Sequence, residues 1–387
     1  MKRKILSYKE ILYSFGKKNN KEELKMKKKN LTMTALVLAC IMAFTACATK
    51  KEETPTPTPT ATEKPSKQEE TSSDVTEPAA AAGEKHVIKI GDSQPETSAV
   101  GTYIKRFGEI VEEKSAGRIT VEFYPGAMMG NGTQSMQQVQ MGSLDMYRCD
   151  ASALYDFGIE SMKLPNIPYM FASKEHANKV LYGEIGTSML EDVTSADIGF
   201  VGIGWLIETG RSMFTRDTKV TKLEDAKGLK IRSVEAGINI DTKAALGMNP
   251  TPLAFSEVYT SLSTGVIDAA ANTLDSFVSN KLYEACDYFI NSEQMFNSCP
   301  VVFSSINWAK YSKEDQQLII DSWQASMNEF DVFVKNNDAK NIEICEKNGV
   351  EICDLEDKDK WVEAVAPVWE KYGVGYEDMI AKIQAMK

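Results

Sequence analysis

Twice along the chain a helical run stops on a glycine, and the strand after it opens on the same short pattern. Gly142-Ser143-Leu144-Asp145 is the first joint and Gly265-Val266-Ile267-Asp268 the second. Glycine supplies the left-handed residue that ends a helix, and the apolar residues after it enter a sheet. Each joint sits in a matching context. Val87-Ile88-Lys89-Ile90 reads as a strand. Val100, Tyr103, Ile104, Phe107, Ile110 and Val111 then fall on one helical face, with Gly117 as a stop. Ile119, Val121 and Phe123 alternate as a second strand. Gly130 to Met141 reads as a helix and Leu144 to Cys149 as a third strand. Further on, Gly228 to Val234 reads as a strand, Ile238 to Leu246 and Phe255 to Ser263 as helices, and Val266 to Ala270 as a strand. Strands alternating with helices call for parallel, right-handed crossovers, so the fold class is α/β with two related lobes. In such sheets ligands lie beyond the carboxyl ends of the strands. Those ends are Cys149-Asp150 in one lobe, and Ser233 to Glu235 with Ala271-Asn272 in the other.

A third region has another character. Ser312 to Gly349 runs almost without breakers and carries Leu318, Ile319, Trp323, Met327, Phe330, Phe333 and Val334 at helical spacing. A helix of that length reaches about 50 Å, enough to brace both lobes.

What precedes the lobes is a targeting segment and a spacer. Met26-Lys27-Lys28-Lys29 is a basic start, Leu31 to Ala46 is mostly apolar, and Cys47 follows Phe44-Thr45-Ala46. This is the layout of a lipoprotein signal, with Met26 as the expected true start and Cys47 as the acylated residue. An uncleaved anchor helix is the alternative. Thr54-Pro55-Thr56-Pro57-Thr58-Pro59-Thr60 and the polar sequence after it cannot bury a core and read as an extended tether. The expected organisation is a leader over 1–47, a tether over 48–85, lobe I over 86–209 with 298–337, and lobe II over 210–297 with 338–387.

Composition narrows the function. The 387 residues carry a formal net charge of −11 and only two histidines, His86 and His176. The basic excess lies in the leader, and the body is acidic. A nucleic-acid partner is therefore not expected, since one needs a basic footprint. Five cysteines remain in the body (Cys149, Cys286, Cys299, Cys345 and Cys353), with no paired metal spacing; a Cys345–Cys353 bridge is open. No nucleophile elbow, phosphate loop, dinucleotide fingerprint or zinc-protease motif occurs, so no enzyme, metal or cofactor is expected.

The stretch from Asp225 to Tyr288 resembles the DctP-like substrate-binding subunit of tripartite ATP-independent periplasmic (TRAP) transporters. The resemblance rests on Lys227-Gly228-Leu229-Lys230-Ile231-Arg232, then on the run from Ala245-Leu246-Gly247-Met248-Asn249-Pro250-Thr251-Pro252 to Glu257-Val258-Tyr259. It continues through Leu262-Ser263-Thr264-Gly265-Val266-Ile267-Asp268 to Ser279-Asn280-Lys281-Leu282-Tyr283-Glu284, and more weakly over 86–387. It implies two α/β lobes joined by strand crossings and a long helix, closing on an organic acid. It further implies that Arg232 clamps the ligand carboxylate, with Arg211, Asn272, Phe255, Asp150, Ser93 and Gln94 at the site. Two departures stand out: Ala269-Ala270-Ala271 precedes Asn272, and Val234 occupies a usual proline position.

Guanidinium suits this role physically, because it is planar and pairs bidentately with carboxylate. Arg232 amid Leu229, Ile231 and Val234 is costly unless paired, and a structural salt bridge is its other reading. Asp150 is either a ligand group or the partner of Arg148. Arg148 is either a second anion clamp or a strand-edge charge. Trp205 is either core or a stacking wall, and Glu235 falls at a strand end. The expectation is a monomeric lipid-anchored receptor on the extracytoplasmic face. Its ligand is a small organic acid, best a sugar acid, passed to the small and large membrane subunits of an ion-gradient-driven transporter. A sensory binding protein serving a receptor kinase and a hydrolase of acidic sugars are the rival readings.

Overall fold

The computed structural model describes residues 84–387. The expected leader, Cys47 and nearly all of the tether lie outside the described residues. The body is built on a single sheet of nine strands. These are β1 (His86–Gly91), β2 (Ile119–Tyr124), β3 (Met146–Arg148), β4 (Phe200–Thr215), β5 (Lys230–Ser233), β6 (Asn249–Pro252), β7 (Ala269–Asn272), β8 (Tyr288–Ser304) and β9 (Glu351–Asp354). Their order is β2-β1-β3-β8-β4-β7-β5-β6, with β9 beside β8. At one end β1, β2 and β3 pair in parallel; at the other β5, β6 and β7 do the same. Between them run β4 and β8, antiparallel to each other and common to both lobes.

The repeated joint has a concrete cause. Gly142 ends the helix Gly132–Met141 at φ 74°, and Gly265 stands at φ 75°, conformations that side chains with a Cβ rarely adopt. Three residues later an aspartate binds a backbone amide of the neighbouring strand, within β1 in one case and at the start of β5 in the other. Asp145 Oδ2 accepts from Lys89 N at 2.8 Å, and Asp268 Oδ2 accepts from Lys230 N at 2.9 Å. Each carboxylate thereby satisfies an amide that the ladder leaves free at its edge.

Two sequence expectations change in detail. Asn249–Pro252 forms an edge strand, parallel to β5, rather than a lead-in to a helix. Its two prolines suit an edge, where no ladder donor is needed on the outer side. The segment Phe255–Ser263 divides into a 3-10 turn, Phe255–Glu257, and a helix, Val258–Ser263. The strand crossings expected between the lobes are β4 and β8, which join both ends of the sheet in one hydrogen-bonded ladder. The expected boundaries at 209/210 and 297/298 fall inside β4 and β8, where the register shifts between Ile207 and Gly210. Such bulges bend a strand and raise its twist.

The long helix spans Lys313–Lys347, opened by Ser312, whose side chain accepts from Asp315 N. Ile319, Trp323, Met327, Phe330 and Val334 pack into the core of the first lobe, with Phe107 and Trp323 rings 5.4 Å apart. Burying a side chain such as Phe107 completely stabilises the fold by about 3 kcal/mol. Cys345, near the other end of the same helix, joins the core of the second lobe around Phe214, Phe277 and Phe289. All five body cysteines are free and buried, so Cys345 and Cys353 are not bridged.

Candidate functional site

The carboxyl ends of β1, β3, β5, β6 and β7 converge on one cavity of about 410 Å³. Ser93 and Gln94 follow β1; Arg148 ends β3, and Cys149 and Asp150 follow it. Val234 and Glu235 follow β5, Leu253 to Phe255 follow β6, and Asn272 ends β7. Arg211 enters from β4, and Asn297 and Cys299 from β8. Nine of the ten site residues expected from sequence therefore line one space: Arg232, Arg211, Asn272, Asp150, Phe255, Ser93, Gln94, Glu235 and Arg148. Trp205 does not. It is buried in the core, and its indole N–H donates to Gly186 O at 3.0 Å. Alternation along β4 turns it to the face opposite its neighbours, so the stacking-wall reading is corrected to core.

Arg148 is also corrected. Its guanidinium donates to both carboxylate oxygens of Asp92, at 2.6 and 2.9 Å, and to Glu208 at 3.2 Å and Cys299 Sγ at 2.9 Å. Burial opposes its charge, yet Asp92, Cys299 and Glu208 outweigh burial, and its pKa rises. Glu208 is held in turn by Asn297 at 2.5 Å and by Thr273 at 3.3 Å, while burial pushes its carboxyl above the ordinary range. Arg148 is thus saturated by protein carboxylates, and it is neither an edge charge nor a free anion clamp. Asp150 is not its partner. Asp150 caps the helix Ala151–Asp156, accepting from Ser152 N and Oγ, and lies 3.4 Å from Arg211 Nη1.

Arg232 differs. Its Nε donates to Leu253 O at 3.0 Å, and its guanidinium carbon lies 5.8 Å from the centre of the Phe255 ring. No carboxylate pairs with it among the described residues. Burial, reinforced by Arg211, lowers its pKa to about 9, so it stays charged at neutral pH. Arg211 donates to Ala271 O at 3.2 Å besides its contact with Asp150. The cavity therefore presents a positive corner lined by an aromatic face.

Contacts across the cleft close its flanks. Gln94 Oε1 accepts from Ser276 at 3.2 Å and Asn280 at 2.9 Å, and Asn272 Nδ2 donates to Ser276. On the other side Asn239 donates to Ser152 at 3.0 Å. At the rim, Asp275 in the second lobe accepts from Ala99 N at 2.9 Å, the first residue of the helix Ala99–Lys114.

Sequence reasoning missed Asp92, Glu208, Asn239 and Lys243. The last two share one helix. The short helix Gly237–Ala245 buries Asn239, Thr242 and Lys243 at i, i+3, i+4, a polar stripe where an apolar one is expected.

Two α/β lobes threaded by shared strands, with an arginine-bearing cavity at the strand ends between them, define a two-lobed ligand-binding protein. Residues 90–374 match the model of the bacterial extracellular solute-binding proteins, family 7 (DctP), and the chain belongs to that family. A TRAP periplasmic solute-binding protein of Xanthobacter autotrophicus, solved with bound β-D-galacturonate, is similar at 28% identity and a TM-score of 0.74. The match covers 78% of this chain and 100% of that one. One from Pseudomonas putida, solved with D-glucuronate, is similar at 28% identity and a TM-score of 0.74, covering 77% and 97%. The 2,3-diketo-L-gulonate-binding periplasmic protein YiaO of Escherichia coli is 28% identical over 70% of this chain and 82% of its own.

Proposed function

We propose that this chain captures a sugar acid, with a uronate as the best candidate, and delivers it to the membrane subunits of an ion-gradient-driven TRAP transporter. The observation that carries the reading is Arg232, a buried guanidinium that faces the cavity with no carboxylate to pair it among the described residues. A buried charge without a partner is costly, and a ligand carboxylate removes the cost. Arg211 adds charge-assisted hydrogen bonds. Gln94, Asn272 and Asp150 supply donors and acceptors for hydroxyl groups, and Phe255 offers a face to a pyranose ring. The uronates bound by the two similar structures support the ligand class.

In this reading 86–209 with 298–337 forms lobe I and 210–297 with 338–387 lobe II, hinged through β4 and β8. Acylation of Cys47 holds the protein on the extracytoplasmic face through the tether, and mass spectrometry for a diacylglyceryl Cys47 in the membrane fraction tests that part. Calorimetry with D-glucuronate and D-galacturonate tests the site. Arg232→Ala is expected to cost about 3–5 kcal/mol of affinity while the fold persists. That is some hundred- to several-thousand-fold in Kd. Arg232→Lys is expected to weaken binding strongly too, since lysine keeps the charge and loses the planar fork. Binding by Arg232→Ala within a few-fold of wild type would refute the clamp.

A further inference from the structure

Lys243 is a second buried cation with no carboxylate partner among the described residues, and the reading of the site above does not use it. It sits on the helix Gly237–Ala245, 7% exposed, outside the cavity lining. Its only hydrogen bond among the described residues is a long one, from Nζ to Asn239 O at 3.3 Å. Asn239 belongs to a chain that crosses the cleft. Its Nδ2 donates to Ser152 Oγ, and Ser152 donates to Asp150 at 2.6 Å, beside Arg211. An ammonium has three donors, and among the described residues one acceptor meets them.

We propose that Lys243 couples ligand capture to proton uptake: the seated carboxylate is accompanied by a proton, drawn from solvent, on the Lys243 amine. The coupling rests on the carboxylate reading of the site. No covalent bond is made or broken, and the amine simply becomes an ammonium.

The electrostatics give the direction. Burial first, then Arg211 and Arg232, lower Lys243 from 10.5 to about 7, with Asp150 opposing. The other charged groups on neighbouring elements are otherwise engaged or exposed. Lys230 on β5 is exposed, and Lys163 on the segment Glu160–Asn166 pairs with Glu160. Asp241, on the outer side of the same helix, holds Lys371 and Tyr372. Glu370, beside them on the helix Ala366–Tyr372, is exposed. The two site arginines are therefore the charges that oppose the ammonium. A carboxylate that neutralises their field favours the charged amine, so the complex holds the proton at a higher pH than the free protein.

The sign follows. Below about pH 7 Lys243 is charged with or without ligand, and affinity is flat. Above it, binding takes up protons and affinity falls as pH rises. A ligand that raises Lys243 by one unit makes the fall about tenfold at its limit. Calorimetry with D-glucuronate in phosphate and in Tris, whose ionisation heats differ, counts the protons at pH 6, 7.5 and 8.5. Fractional uptake at 7.5 and 8.5, smaller uptake at 6, and none in Lys243→Met is the expected result. Buffer-independent heats in wild type would overturn the coupling and leave the carboxylate site standing. Should D-glucuronate not bind at all, the uronate reading falls, and ligand-free melting decides the fate of Lys243. Lys243→Met should then exceed wild type by a margin that grows as pH drops from about 10 to 7 and levels off below. A margin independent of pH would overturn the proposal.

Discussion

The cavity holds two arginines that are equally buried, at 6% exposure each, and opposite in what surrounds them. Arg148, from β3, meets both oxygens of Asp92 and one of Glu208. Arg232, from β5, meets a carbonyl and the face of Phe255, and no carboxylate. The surroundings move their proton affinities in opposite directions, upward for Arg148 and down to about 9 for Arg232. Burial of a cation is thus not what marks a ligand site. In the proposed reading, the mark is a buried cation that faces the cavity and has no carboxylate partner among the described residues.

The contrast is broken most severely by removing the saturated arginine. Arg148→Ala leaves Asp92 and Glu208 buried without their counter-charge, and stability is expected to fall by about 3–5 kcal/mol in urea titrations. Arg232→Ala should show the converse signature, with affinity lost and stability kept. If Arg148→Ala unfolds at the wild-type midpoint, the structural role assigned to its corner is wrong. Arg211→Ala is an intermediate case. It touches Asp150 and Ala271 O, and in the proposed reading it adds hydrogen bonds to a charged ligand, so its loss should cost about 1–3 kcal/mol of binding by calorimetry. A loss larger than that of Arg232→Ala would transfer the principal clamp to β4. The smallest effect belongs to Trp205→Phe, which removes one buried hydrogen bond to Gly186 O. Stability should drop by about 1 kcal/mol, with affinity within twofold of wild type. A large change in affinity would return Trp205 to the ligand site.

The arginines also show what the sequence discloses. The helix Lys313–Lys347 and the β-α-β segments were readable because their periodicity is local. The strand Lys230–Ser233 that carries Arg232 was readable locally, and Arg232 itself was singled out by the family resemblance of the run Lys227 to Arg232. Arg148 was not readable as a saturated ion, because Asp92 lies 56 residues away and Glu208 60. Nothing nearby distinguishes such an arginine from a free one. The two long strands were equally opaque as strands. β8 is buried on both faces over most of its length, so the alternation that reveals a half-exposed strand is absent. β6 hid behind its prolines. Lys243 was overlooked because a lysine on a short helix is ordinarily solvated, and only tertiary burial makes it a charge that matters.

The shared strands carry one more consequence, for the order in which the chain assembles. β3 completes its pairing only against β8, through Met146 with Phe303 and Arg148 with Val301. The first lobe therefore remains unfinished until residue 304 has emerged, although its other strands were synthesised much earlier. The ladder between β4 and β8 begins at Thr215 with Tyr288 and reaches Phe200 with Ser304, closing residues 216–287 into a loop. Closing such a loop costs entropy before the contacts return it, which makes formation of this central pair a slow, late event. A nascent chain that has not yet reached β8 has an open edge at the middle of its sheet, and neither lobe can be released as a finished half.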